Sequence, residues 1–363
     1  MPVADTDDYR QLLLSNVALM DTRAPVEFAR GAFPSAINMP LMSDSERHDV
    51  GVCYKQHGPQ AAIELGHKLV CGDVKDRRLD AWRAFTQEYP HGYLYCFRGG
   101  LRSKTVQQWL RESGINYPLV KGGYKAMRQF LLAELENSVS AADPVLIAGM
   151  TGSGKTRVIS ALARSVDLEG LANHRGSTFG QLLEPQPSQI DFENALSIDL
   201  MRLLQADQKR IYFEDEGYLI GRLHLPNQLY ERMTGSDMVL IEESLDSRVA
   251  VLVEDYVTDM GQRYQRYFGD EGALQHRDKL LADLAKIRKR LGGVRHRQIG
   301  DTISAAFEQQ WRDNDLSLHR QWISQLLTEY YDAMYQYQLG KRDGAIVFRG
   351  SRAEVIERAR LSQ

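Results

Sequence analysis

The sequence predicts two α/β domains in tandem, the second ending in a helical, charged region. A short apolar strand, Val145 to Ala148, runs into Gly149-x-x-x-x-Gly154-Lys155-Thr156 and then into helical apolar spacing at Val158, Ile159 and Leu162. Strand, glycine loop and helix start in that order are the setting a phosphate-binding P-loop requires. Ahead of it, short apolar runs alternate with helix-period segments, the pattern of a parallel sheet with helical crossovers. A chain of 363 residues also has the length of two domains rather than one. The boundaries read as 1–136, a linker at 137–144, and 145–363.

Composition narrows the class. Apolar content of 43% and charged content of 26% are those of an ordinary soluble protein. A net charge of -3 means that any nucleic-acid contact must use a local patch. Residues Met1 to Arg10 are acidic and lack a signal-peptide core, and no apolar stretch approaches a membrane span. No membrane partner is therefore expected. Cys53, Cys71 and Cys96 are too few and too scattered for a disulfide framework or a zinc site, which points to a cytoplasmic, reducing setting.

In the first domain, Val17 to Met20 reads as a buried strand leading into Asp21-Thr-Arg23. Residues 48–70 and 76–89 carry helical patterns, the second with Trp82 and Phe85 on one face. Gly92 to Tyr95 is a short strand that delivers Cys96-Phe-Arg-Gly-Gly-Leu-Arg102-Ser103 into a loop before a helix. Parallel α/β folds do their chemistry at this place, the carboxyl end of a strand. Inward backbone amides and a helix N-terminus favour a thiolate, and Arg102 is placed to hold an anion or orient the loop. A cysteine that merely fills the core would not need Arg98, Gly99, Gly100 and Arg102 around it. Cys53 and Cys71 have no such surroundings and read as filler, Cys53 less clearly because Tyr54, Lys55 and His57 adjoin it.

Asp21-x-Arg23-x-Pro25-x-Glu27-x-x-x-Gly31, the Ala36-Ile-Asn-x-Pro40 run, the Cys96 loop and Gly122-Gly123 together resemble a rhodanese domain. The resemblance implies that Cys96 carries a sulfur or selenium atom. Five residues separate Cys96 from Arg102, one more than in the usual single-domain rhodanese loop. The wider cradle suits a phosphate-like donor, as in rhodanese-like phosphatases, although those carry His where this chain has Tyr95.

In the second domain, small residues let the backbone amides of Gly149, Thr151, Gly152, Ser153 and Gly154 turn around a phosphate. Lys155 supplies a cation, and the Thr156 hydroxyl a ligand for Mg²⁺. His174, Arg175 and Ser177 follow the first βα unit. They either close over the phosphates or form a solvated loop, and the sequence favours neither. Ile211 to Phe213 is a strand ending in Glu214-Asp215-Glu216, the position of a Mg²⁺-supporting acid, with Asp215 the residue chosen. Met238 to Ile241 is a further strand, and Arg248 opens the helix after it.

Beyond residue 251 the chain is helical and charged. Its densest basic run contains Arg288, Lys289, Arg290, Arg295 and Arg297. Such a run is more often a solvated helix face than a nucleic-acid contact, and both readings stay open. The aromatic helix from Trp322 to Tyr337 reads as core packing before base stacking. Gly344 to Gly350 and Ala353 to Arg360 give a last strand and helix.

With Leu171-Ala-Asn-His-Arg-Gly-Ser177, Glu214-Asp-Glu216 and Glu329-Tyr-Tyr-Asp-x-Met-Tyr335 added, the chain from about residue 9 onward resembles the tRNA 2-selenouridine synthase family, a rhodanese-like domain followed by a P-loop NTPase-like one. The resemblance implies tRNA bearing a 5-substituted 2-thiouridine at the wobble position as substrate. It also implies selenophosphate as donor and geranyl transfer from geranyl diphosphate to the sulfur. Transient contact with a selenophosphate-supplying enzyme and no tightly bound organic cofactor go with it. The rival readings are a P-loop kinase or ATPase with a regulatory rhodanese domain, a simple sulfurtransferase, and a non-enzymatic tRNA adaptor.

Overall fold

The computed structural model describes residues 4–361. The chain divides into two units, Met1–Ser138 with Ser188–Arg202, and Val139–Pro187 with Leu203–Gln363.

The first unit is built on three parallel strands, β1 (Leu19–Asp21), β2 (Ala36–Asn38) and β3 (Tyr93–Tyr95), in the order β2-β1-β3. Parallel bridges from Leu94 to Leu119 and from Thr6 to Val120 widen the sheet. Successive side chains of a strand point to opposite faces, and here both faces are covered. Met20 and Leu94 enter a core with Trp82, Phe85, Val106 and Trp109, whereas Leu19 and Tyr95 enter another with Phe33, Tyr124 and Met127.

That second core takes in Ile198 and Met201 from the helix Gln189–Leu203. The sequence placed this helix in the 145–363 domain; the structure places residues 188–202 in the first unit. The physical reason is polar pairing within the unit. The Asn194 amide donates to the Ala32 carbonyl at 2.7 Å, and Ser197 Oγ donates to the Leu131 carbonyl at 2.8 Å. Asp191 accepts from the Ala32 N–H at 2.6 Å. The expected 137–144 linker is also not an open connection. The helix Gly123–Ala141 runs through most of it, and β4 starts at Asp143.

The second unit is a five-stranded parallel sheet of β4 (Asp143–Gly149), β5 (Ser165–Val166), β6 (Arg210–Glu214), β9 (Met238–Ile241) and β10 (Ile346–Gly350), ordered β10-β9-β4-β6-β5. A small antiparallel hairpin, β7 (Leu219–Ile220) and β8 (Leu223–His224), stands apart. β4 is central, and the chain leaves it for one edge of the sheet before later returning to the other. The crevice at such a reversal of strand order is where open α/β sheets bind ligands. The C-terminal helices, among them Gly293–Asp313 and Ser317–Leu326, bury Ile299, Phe307, Trp322 and Leu327 in a core of their own.

Candidate active site

The first candidate loop follows β3. Cys96 is 3% exposed, and its Sγ lies 3.2 Å from Ser103 Oγ. Gly99 (φ +62°) and Gly123 (φ +59°) press the loop onto the Gly122-Gly123 turn. A Cβ on Gly123 would stand 2.2 Å from the Cys96 carbonyl oxygen, so only glycine fits there. The helix Leu101–Glu112 starts immediately afterwards and turns its N-terminus toward the loop.

Of the two roles open to Arg102, the geometry is that of a residue that orients the loop. Its guanidinium is held by Glu27, with Nη1 to Oε2 at 2.5 Å and Nη2 to Oε1 at 3.2 Å, rather than left free to grip an anion at Cys96. Arg47 reaches the same carboxylate at 3.0 Å. Burial works against the Glu27 charge, yet the two guanidiniums keep its carboxyl below the ordinary glutamate range. Asp21 and Arg23 form a buried brace behind the loop. Arg23 Nε and Nη2 donate to Asp21, Nη2 also donates to the Gly31 carbonyl, and Tyr95 Oη donates to Asp21 at 2.7 Å.

The second candidate loop follows β4. Gly152 (φ +80°) and Gly154 (φ +79°) hold conformations that favour glycine, and a Cβ on Gly152 would meet the Arg248 carbonyl oxygen at 2.8 Å. Thr156 Oγ1 sits 2.8 Å from Glu214 Oε1 and 3.2 Å from Glu169 Oε2. Asp215, the acid chosen from sequence, is ion-paired with Arg342 instead. It also lines the cavity over the glycine loop, beside Glu216. Glu214, the last strand residue, points to Thr156.

Three carboxyls crowd this corner. Burial, then the nearby Glu169 and Asp167 charges, pushes Glu214 up to about 8. Burial and mutual repulsion also raise Glu169 and Glu216. Lys155 is half-buried, and desolvation opposes its charge, but Glu216 and Glu169 hold it above the ordinary lysine value. Such a cluster is short of positive charge. No group of three or more His, Cys, Asp or Glu side chains is set to hold a metal among the described residues. Thr156, Glu169 and Glu214 make a smaller donor set, one that suits Mg²⁺ when phosphate oxygens and water fill its other positions.

A cavity of about 860 Å³ opens over the P-loop, lined by Gly152 to Thr156 and also by His174, Arg175, Ser177 and Arg290. The His174–Ser177 segment therefore faces the phosphate cradle. Ser177 Oγ lies 2.7 Å from Tyr256 Oη, and Arg175 pairs with Asp255 at 2.7 Å. Burial, then the Lys279 charge, keeps His174 below the usual histidine value. The opposite wall carries Tyr330, Tyr331, Met334 and Tyr335. Tyr256 and the Tyr330-Tyr331 pair lie in two π-helical turns, Glu254–Asp259 and Leu327–Tyr331. Such turns recur at functional sites because the extra residue re-aims side chains. Of the aromatic helix, Trp322 packs in the core as expected, Tyr330, Tyr331 and Tyr335 line the cavity, and Tyr337 is exposed.

Arg248 ties these parts together. It is 4% exposed, donates from Nε to the Thr151 carbonyl at 2.9 Å, and makes a two-pronged pair with Asp332. Neither partner is close in sequence, so no local pattern marked it. Glu169 was missed for a similar reason: it sits in a stretch that reads as loop. Of the basic run, Arg290 reaches the cavity rim and Arg295 pairs with Glu329 at 3.0 Å. Arg288, Lys289 and Arg297 are exposed.

Residues 142–363 match the family model described as the tRNA 2-selenouridine synthase AAA domain. Similar proteins named tRNA 2-selenouridine synthase come from Alcanivorax borkumensis, 54% identical over 97% of this chain and 97% of that protein, and from Marinobacter nauticus, 52% identical over 98% and 97%. A relative of the same name from Pseudomonas syringae is 51% identical over 97% of this chain and 96% of its own. No helix among the described residues is long and apolar enough to cross a membrane. A phosphate cradle on the central strand, a cysteine loop in the other unit and identity above one half along nearly the whole length lead to one assignment: the chain belongs to the tRNA 2-selenouridine synthase family.

Proposed function

We propose that this enzyme replaces sulfur by selenium in a 5-substituted 2-thiouridine at the wobble position of tRNA, with selenophosphate as donor and an S-geranyl nucleoside as intermediate. What supports the reading most is one chain, alike to its relatives from end to end, that holds both a cysteine loop and a P-loop. We take the first unit as rhodanese-like on the strength of its motifs. A thiocarbonyl sulfur leaves poorly, and alkylation turns it into a thiolate leaving group.

In the first step the carbon–oxygen bond of geranyl diphosphate breaks, its electron pair leaves with diphosphate, and the tRNA sulfur bonds to the allylic carbon. Gly149 to Thr156 cradle the diphosphate, and Lys155 neutralises the charge that builds on it. A Mg²⁺ held by Thr156, Glu169 and Glu214 would add to that neutralisation. The tyrosine wall offers π-faces to the cationic allyl group. In the second step Cys96 serves the exchange of sulfur for selenium. Exposed Arg288, Lys289 and Arg297 offer phosphate contacts for tRNA. Contact with the enzyme that supplies selenophosphate would shelter that donor.

The test supplies thiolated tRNA, geranyl diphosphate and selenophosphate and reads nucleoside masses. Cys96→Ser should stop selenation and spare geranylation, whereas Lys155→Ala should cost geranylation. Selenouridine at a near-parental rate from Cys96→Ser would overturn the role given to the thiol. Vigorous ATP hydrolysis with no action on thiolated tRNA would overturn the whole reading.

A further inference from the structure

The first unit has an apolar cavity of about 590 Å³ that the chemistry above leaves unused. Its walls include Leu41, Met42, Val50, Ala62, Ile63 and Trp109. Its volume falls within the range of small-molecule sites, roughly 300–1,000 Å³. One wall is the helix Asp44–Leu69, which breaks at Gly58 (φ +81°) ahead of Pro59, and Pro59 itself lines the cavity. Apolar side chains stay exposed at its edge, Tyr54 at 59% and Leu101 at 57%. Exposed apolar groups around a concave patch mark binding rather than packing.

Two features say what should bind. The cavity adjoins the cysteine loop, because Leu101 and Arg102 line it and also open the helix that follows Cys96. Its rim carries Lys55, His48, His67 and Arg47, the last paired with Glu27, around an apolar floor. An occupant with an apolar tail and an anionic body, brought to the Cys96 loop, matches both.

We propose that this cavity holds the isoprenyl chain of the S-alkylated wobble nucleoside during selenium exchange and receives it as the departing thiol. The inference rests on the S-geranyl intermediate proposed above. In the exchange, the bond from C2 of the base to sulfur breaks. Its electron pair leaves with the isoprenyl thiolate, which takes a proton. A C2–selenium bond forms with selenium from selenophosphate, and water cleaves the P–Se bond to give phosphate. With its chain in water, the alkylated sulfur would have no apolar anchor at the cysteine loop. The cavity supplies one, while Lys55 at the rim is placed to meet a tRNA phosphate.

The experiment uses the full-length enzyme with tRNA carrying chemically prepared S-geranyl or S-methyl 2-thiouridine, plus selenophosphate, so that it does not depend on the P-loop reaction. Ala62→Phe fills the cavity, and Ile63→Trp does so from a half-buried position should the first variant fold poorly. We expect S-geranyl selenation to fall at least tenfold in either variant. S-methyl selenation and geranylation of thiolated tRNA should stay within about twofold of the parent. Parental selenation of the S-geranyl substrate by a folded, filled variant would overturn the proposal. Equal loss on both substrates would overturn it too, because that would mean damage to the loop rather than loss of chain recognition. If the parent selenates thiolated tRNA directly but ignores both alkylated forms, the intermediate itself is wrong and the cavity falls with it.

Discussion

Glu214→Gln separates the electrostatics of the P-loop corner from its shape. Glu214 is fully buried at the end of β6, and its carboxyl is pushed from 4.5 up to about 8, first by burial and then by Glu169 and Asp167. Below pH 4.5 the folded and unfolded chains both hold this proton. Between about pH 4.5 and 8 the folded chain keeps a proton that the unfolded chain has lost, so stability falls as pH rises through that window. At pH 7.5 the cost is at most about 4 kcal/mol, from three units of pH at roughly 1.36 kcal/mol each. Glutamine removes this cost. It gives up one acceptor, however, because Glu214 Oε2 accepts the Glu169 N–H at 3.1 Å, and that loss costs about 1 kcal/mol. The variant should therefore match the parent near pH 5 and exceed it by up to about 3 kcal/mol at pH 7.5, measured by urea unfolding of the full chain with chelator present. With Mg²⁺ and inorganic diphosphate added at pH 7.5, the parent should gain stability and the variant should gain less. A variant less stable than the parent at both pH values would refute the reasoning, because Glu214 would then hold the corner together as a hydrogen-bonding anion.

Arg248→Lys removes the two-pronged pair with Asp332 and the hold on the Thr151 carbonyl; KM for geranyl diphosphate should rise about tenfold, roughly 1.4 kcal/mol, with tRNA affinity unchanged. Arg23→Met strands the buried Asp21 carboxylate and should lower stability by about 3–5 kcal/mol, and adding Asp21→Asn should recover part of it in thermal unfolding. Arg288→Ala with Lys289→Ala should weaken binding of all tRNAs alike and reduce the slope of log affinity against log salt by about two. An unchanged slope would take this face out of the tRNA contact.

The sequence spoke most clearly where the backbone itself is constrained. A strand, a turn with positive φ and a helix start each demand particular residue types within a few positions, so Gly149 to Thr156 and the Cys96 loop could be placed at once. Most strands of the two sheets were legible as short apolar runs; β2 and the two-residue β5 were not, because neither carries a run long enough to stand out. The tyrosines near residue 330 read as packing before base stacking, because nothing local says which cavity a helix face will meet. Side-chain alliances were not legible. Glu27 and Arg102 stand 75 positions apart, and Arg342 reaches Asp215 across 127. Nothing at either end announces the other. The acids after β6 show where the limit lies: the end of a strand fixes which three acids arrive, but not which guanidinium, ammonium or hydroxyl each one meets. Backbone pairing runs as far as Ile147 opposite Glu214, which makes Glu214 the last residue held in the pleat and turns it to the Thr156 side. Arg342 pairs with Asp215 from the far end of the chain, and no pattern around residue 215 marks that partner.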